Sequence, residues 1–129
     1  MEFRFRIPTG ETEELTDPAP ILARIREDGS AFWNIGSGDA GIETGSPYAP
    51  LTLELYFDGE AHFQLRYTTP DGDSVTARDP RHGKASATIK VGGTPMKLAP
   101  GTLQPREAAA EIVRHFCATG EKHPDYAWE

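Results

Sequence analysis

An α+β fold, in which a predominantly antiparallel sheet is covered by about two helices, is predicted by three observations. First, Leu51, Leu53, Leu55 and Phe57 alternate with Thr52, Glu54 and Tyr56, and Ala61, Phe63, Leu65 and Tyr67 repeat that period beyond Asp58-Gly59. Two strands joined by a tight turn and sharing one apolar face read this way. Second, Ala109, Ile112, Val113 and Phe116 recur at three- and four-residue intervals, with Arg106, Glu111, Arg114 and His115 largely around the polar side. That is an amphipathic helix whose apolar face needs a sheet or another helix to cover it. Third, the coarse order is strand, helix, several strands, helix, terminal strand. Strands in series with turn-length connections pair antiparallel, which sets the helices on one face.

Taken from the start, Phe3, Phe5 and Ile7 alternate with Glu2, Arg4 and Arg6 and predict an opening strand. Pro8 closes it, and the polar, negative tract Pro8 to Glu14 reads as a loop. Thr16 or Asp17 caps a helix with Pro18 just inside it, Pro20 tolerated in the first turn, and Ile21, Leu22 and Ile25 as its buried stripe; Gly29 ends it. Ala31 to Ile35, with Phe32 and Trp33, predicts a short strand. The glycines and prolines of the next fifteen residues, Gly36 to Pro50, argue against regular structure throughout. Gly36, Gly38 and Gly41 have the wrong spacing for a phosphate loop, and no Lys-Ser or Lys-Thr pair follows. Glu43 to Pro50 is read as an excursion loop, either solvated or partner-binding.

Beyond the central hairpin, Asp71-Gly72-Asp73 turns the chain into a third strand with Val75 and Ala77 on its buried side. Asp79 to Gly83 is a loop, Ala85, Ala87, Ile89 and Val91 form another alternating run, and Gly92-Gly93 leads to a shorter strand with Met96 and Leu98. Pro95 lacks an amide donor and favours an edge or a strand start. In the last helix Pro105 suits the first turn, Glu107 the positive end and Gly120 the cap. After the polar tract Glu121 to Asp125, Tyr126, Ala127 and Trp128 form a short strand or an extended arm, and the large indole implies that this end docks.

The 129 residues fit one compact domain, 1–129. With 13 glycines and 11 prolines, many short elements joined by turns are expected. Cys117 is the only cysteine, which excludes an internal disulfide and a cysteine-cluster metal site. No apolar stretch is long enough to span a bilayer, and MEFRFRIPTG lacks a secretory apolar block, so the reading is a soluble cytoplasmic protein or one delivered without such a signal. The net charge of -7 is unevenly placed: residues 1–75 carry 14 acidic and 5 basic side chains, the remainder 6 and 8. Nonspecific nucleic-acid binding needs basic compensation for phosphates, so this balance argues against it and permits a basic protein partner.

Chemistry-bearing motifs are sparse. Asp58 with Glu60 and Asp71 with Asp73 flank turns, but no calcium-loop pattern surrounds them and solvent-facing turn residues are the simpler account. His62, His82, His115 and His123 form no HExxH motif. Cys117 lies near the wrong end of its helix for dipole activation, and Ser30, Ser37 and Ser46 lack the nucleophile-elbow context. No catalytic residue, metal or cofactor is therefore expected. Trp33 and Trp128 are assigned to packing, whereas Tyr48, in a loop, is either solvated or an anchor for a partner.

The C-terminal segment PREAAAEIVRHFCATGEKHPDYAWE resembles the end of the Imm1 family of immunity proteins from bacterial polymorphic toxin systems, through Phe116, Thr119-Gly120, Pro124 and Trp128-Glu129. The similarity covers the final quarter of the chain; Tyr126 and Ala127 stand where a short aliphatic strand is more typical. The resemblance implies a non-enzymatic, stoichiometric inhibitor of a cognate toxin, either a nucleic-acid deaminase or another enzymatic effector. The chain is then a monomer when free and a heterodimer with the toxin, with no nucleic acid or membrane bound directly. Phe116, Gly120, Pro124 and Trp128 are the structural signature of that family. The expected inhibitory surface is acidic and loop-borne, comprising Asp39, Glu43, Asp58, Glu60, Asp71 and Asp73 with Tyr48, and it obstructs a basic substrate-binding face. The alternative is a small-ligand or carbohydrate-binding module whose pocket is lined by turn carboxylates and aromatics.

Overall fold

A computed structural model describes residues 2–26, 32–33, 39–57, 62–78 and 102–129, and the backbone of 87–91 and 94–98. In chain order the elements are β1 (Phe3–Arg6), β2 (Thr12–Leu15), α1 (Ala19–Arg26), β3 (Asp39–Thr44), β4 (Leu51–Phe57), β5 (His62–Thr68), β6 (Ser74–Arg78), β7 (Ala87–Val91), β8 (Thr94–Leu98), β9 (Gln104–Pro105), α2 (Arg106–Thr119) and β10 (Ala127–Trp128). Among the described residues the fold is mixed α+β, with a multi-stranded antiparallel sheet and two helices. Its main sheet has the order β10-β6-β5-β4-β3-β1-β2, with β9 also on β5, while β7 and β8 form a hairpin of their own that approaches β4.

Strand register explains why one face is apolar. Phe5 lies opposite Ile42, Ile42 opposite Leu53, Leu53 opposite Tyr67 and Tyr67 opposite Val75; the next rows are Ala40, Leu55 and Leu65, then Phe57 and Phe63. Side chains alternate along each strand, so these rows share a face. Onto it α1 lays Ile21, Leu22 and Ile25, and α2 lays Ala109, Ile112, Val113 and Phe116. The helices also meet end to side: Arg106 Nη1 donates to the carbonyl of Ile25, in the last described turn of α1, at 2.8 Å.

Both helix termini with identifiable caps follow the sequence. Asp17 Oδ1 accepts the Ala19 amide at 2.9 Å, and the Pro18 carbonyl accepts the amides of Ile21 and Leu22 at the helix entrance. Gly120 takes φ 73°, in the left-handed region, and its amide donates to the Phe116 carbonyl at 2.7 Å. The terminal arm docks as β10 on β6, with Trp128 opposite Ala77.

Three expectations are corrected. The tract Pro8 to Glu14 is not wholly loop, because β2 begins at Thr12; as an edge strand it exposes Thr12, Glu13 and Glu14 and so lacks an apolar alternation. The glycine-rich stretch 36–50 contains β3, in which Ala40 and Ile42 are buried and Gly41 leaves room for Arg6: a Cβ at Gly41 would meet Arg6 Nη2 at 2.9 Å. Phe32 and Trp33 lie in a turn rather than a strand, and the rest of Ala31 to Ile35 lies outside the described residues. Trp33 is fully buried because tertiary contacts claim it, with its ring edge-on to Phe63 at 4.9 Å and Nε1 donating to the Arg24 carbonyl at 2.8 Å. Gly29, the Asp58-Gly59 turn, Asp79 to Gly83, Ala85 and Gly92-Gly93 also lie outside the described residues.

Candidate partner-binding surface

The face of the sheet away from the helices is polar, and its charges alternate across the strands. One row runs Glu14, Arg4, Glu43, Thr52, Thr68, Ser74; the next runs Thr12, Arg6, Gly41, Glu54, Arg66, Thr76. Opposite charges directly across a ladder stabilise it modestly. Two of the expected site residues belong here: Asp39 and Glu43 lie on β3, not in a loop, and each faces an arginine, Asp39 with Arg6 and Glu43 with Arg4, both at 3.7 Å. Asp39 also lies opposite Tyr56, roughly 13 Å along the strand from Glu43. On the same face Tyr56 donates from Oη to Glu54 Oε2, and burial first, then that carboxylate, push its pKa above the ordinary 10.0.

The register brings other residues into line at one end of the sheet. Leu15 lies opposite Phe3, Thr44 opposite Leu51, Thr52 opposite Thr68 and Thr68 opposite Ser74, so the connections beyond these residues emerge from a common rim. With strands ~4.8 Å apart, the rim from β2 to β6 is roughly 24 Å long. Along it stand Glu14 and Glu2, then the β3–β4 loop with Tyr48, then the β5–β6 turn with Asp71 and Asp73. All four acids are exposed, and Tyr48 is 97% exposed.

Local bonds hold these loops. The Tyr48 amide donates to Ser46 Oγ at 3.2 Å, and the Ala49 amide to the Ser46 carbonyl at 3.2 Å. In the β5–β6 turn the Thr69 amide donates to the Asp73 carbonyl and the Gly72 amide to the Thr69 carbonyl, both at 2.9 Å, with Gly72 at φ 91°. A cleft of ≈ 500 Å³ opens between β1, β2 and Gly45, lined by Glu2, Phe3, Arg4, Glu14, Leu15, Thr16 and Gly45. Arg4 turns toward β3 within it, donating from Nη1 to the Gly45 carbonyl at 3.1 Å.

Tyr48, Asp71 and Asp73 are thus brought to one rim, with Glu43 one residue inside it and Asp39 at the far end of the same strand. Asp58 and Glu60 lie outside the described residues. Glu2 and Glu14 join the rim although the sequence does not single them out; the signal that marks Glu14 is its place in a run of acids, and only the β1–β2 register, which sets it opposite Arg4, brings it to the cleft that Glu2 also lines.

The C-terminal residues carry the scaffold. Phe116 is buried, Gly120 caps α2, and Trp128 is half-buried with its ring 6.2 Å from that of Tyr67 and Nε1 donating to the His123 carbonyl at 2.9 Å; Pro124 is exposed in the connecting tail. Cys117 is buried on the same helix, and burial pushes its thiol up to about 12, which holds it neutral and un-nucleophilic. Among the described residues, no group of three or more His, Cys, Asp or Glu side chains is placed to hold a metal ion, and no helix is long and apolar enough to cross a membrane. Compared with models of known protein families and with characterised proteins, the chain has no match.

Proposed function

We propose that this chain is a stoichiometric protein inhibitor that binds a cognate bacterial toxin and blocks its substrate-binding surface, performing no catalysis itself. The observation that carries this reading is the acidic rim, where Glu2, Glu14, Asp71 and Asp73 flank one fully exposed tyrosine, Tyr48. Enzymes that act on nucleic acids present basic faces to phosphates, and an acidic rim is complementary to such a face. Charge complementarity speeds encounter and selects the partner, while an aromatic anchor slows release. The resemblance of Phe116, Thr119-Gly120, Pro124 and Trp128-Glu129 to the immunity-protein pattern supports the same reading. Its setting is the cytoplasm, where the free chain is monomeric and the complex is a heterodimer with a deaminase or another enzymatic effector. The test is to mix the purified chain with the protein encoded beside its gene and to measure complex formation and toxin activity together. Equimolar loss of activity is expected; an active toxin that neither binds nor is inhibited sinks the proposal.

A second reading, a small-ligand or carbohydrate-binding module, draws on the cleft between β1 and β2, whose ≈ 500 Å³ falls in the range of ligand sites. Calorimetric titration with neutral sugars separates the two: saturable heat abolished by Glu14→Ala favours the module, and none is expected for the inhibitor.

A further inference from the structure

Strand β2 ends the main sheet, and among the described residues nothing pairs with its outer edge. The direction of its backbone groups can be worked out. The Ile7 amide donates to the Glu11 carbonyl at 2.9 Å, so these two residues form a hydrogen-bonded pair. Alternation along an antiparallel ladder then makes Phe5 with Glu13 and Phe3 with Leu15 hydrogen-bonded pairs as well. The amides and carbonyls of Thr12 and Glu14 therefore turn away from β1, toward the open side. The side chains divide the other way: Thr12 and Glu14 stand on the polar face with Arg6 and Arg4, Glu13 stands on the face of Phe5, and Leu15 packs partly against the core.

We infer that this edge receives an extended, basic segment of the partner protein by strand addition, an inference that names the contact surface of the inhibitor reading and rests on it. An added strand pairs its backbone with Thr12 and Glu14 and places consecutive side chains on opposite faces of the sheet. Adjacent lysine or arginine residues would then meet Glu14 on one face and Glu13 on the other, both of them exposed. An apolar neighbour in the same segment covers Leu15. On the polar face the cleft beside Glu14 runs on to Glu2 and Thr16, with room for a long basic side chain, while Arg4 is held away by Gly45 and Glu43.

The same charges select against a second copy of this chain. Antiparallel pairing of two β2 edges through Thr12 and Glu14 sets Glu13 opposite Glu13 in one register and Glu14 opposite Glu14 in the next, and like charges directly opposite destabilise a ladder. The edge is thus closed to itself and open to a basic strand.

Site-resolved hydrogen exchange on the complete chain, alone and with the protein encoded by the adjacent gene, tests the inference. In the free chain the amides of Thr12 and Glu14 exchange faster than those of Glu13 and Leu15, and in the complex they slow by at least about tenfold. Two variants separate backbone from charge. Glu14→Pro removes an outward amide that bonds nothing among the described residues, so the fold is retained and affinity drops at least about tenfold. Glu14→Gln keeps the amide and slows association several-fold at low salt. A tight complex in which Thr12 and Glu14 exchange as in the free chain overturns strand addition and leaves inhibition standing. No complex at all overturns both. Protection that appears with concentration in the absence of the partner, together with a dimer by light scattering, assigns the edge to a second copy and overturns the inference.

Discussion

The hydroxyl of Tyr67 donates a 3.1 Å hydrogen bond to the carbonyl of Gly120, tying the end of β5 to the residue that stops α2. The same ring stands edge-on to Phe116 at 6.1 Å and to Trp128 at 6.2 Å, and the Lys122 ammonium lies 5.6 Å from its centroid. One side chain therefore links the sheet, the cap of the helix and the terminal arm. Tyr67→Phe keeps the ring and removes only the hydroxyl, so a loss of about 1 kcal/mol is expected. Urea unfolding of the two proteins with equal m-values measures it; an unchanged midpoint removes the hydrogen bond from the account.

Gly120 holds two roles whose consequences differ. Its carbonyl serves Tyr67, which any residue can do, but its φ of 73° penalises every residue with a Cβ. Gly120→Ala is expected to destabilise by roughly 1 kcal/mol or somewhat more, and Gly120→Asn by less, because asparagine tolerates the left-handed region better than alanine. Thermal unfolding of both variants checks the order. If alanine and asparagine behave alike, backbone conformation is not what glycine supplies here.

How much of this was legible depends on whether a residue's partner is local. The β4–β5 pair and α2 could be read because each keeps its own apolar period on a single buried face. Strand β3 has that period too, in Ala40 and Ile42, but Gly41 between them looked like loop chemistry; its reason is Arg6, 35 positions earlier, packed over it. Phe32 and Trp33 read as strand because they are large and adjacent, yet a turn is what delivers Trp33 to Phe57 and Phe63. At the rim, Tyr48, Asp71 and Asp73 are visible from turn residues around them. Glu2 and Glu14 are not, since only the register of β1 with β2, which sets Glu14 opposite Arg4, brings both to one cleft, and Asp39 and Glu43 read as loop acids because glycines surround the strand that carries them.

Cys117 supplies a prediction with a definite sign. Burial raises its thiol from the ordinary 9.0 to about 12, so the folded chain keeps a proton that the unfolded chain releases above pH 9. Stability is therefore full below the unfolded value and falls as pH climbs toward the folded one, by on the order of 4 kcal/mol across the whole interval. Cys117→Ala lacks this term, so the stability gap between the wild type and the variant narrows from about pH 9 upward. A gap that stays constant to about pH 10.5 contradicts the burial argument. At neutral pH the thiol is also expected to react with an aromatic disulfide reagent only at the rate of unfolding.

Under the proposed function Tyr48 serves recognition and Trp128 the scaffold, and two alanine substitutions separate the roles. Tyr48 is 97% exposed, and among the described residues it makes only a local bond from its amide to Ser46 Oγ, so Tyr48→Ala leaves the unfolding midpoint within about 0.5 kcal/mol of the wild type. As the aromatic member of an acidic rim, it is expected to weaken toxin binding by about 1 to 2 kcal/mol, most of it in the dissociation rate. Trp128 is half-buried, bonds the His123 carbonyl and holds β10 on β6. Trp128→Ala loses ring packing and that bond, for a destabilisation of about 2 kcal/mol, while toxin affinity measured well below its midpoint is unchanged. Denaturation curves and binding kinetics on the same two variants decide the matter. Were Trp128→Ala to abolish binding in a folded chain while Tyr48→Ala left it intact, the inhibitory surface would belong to the C-terminal arm and not to the rim.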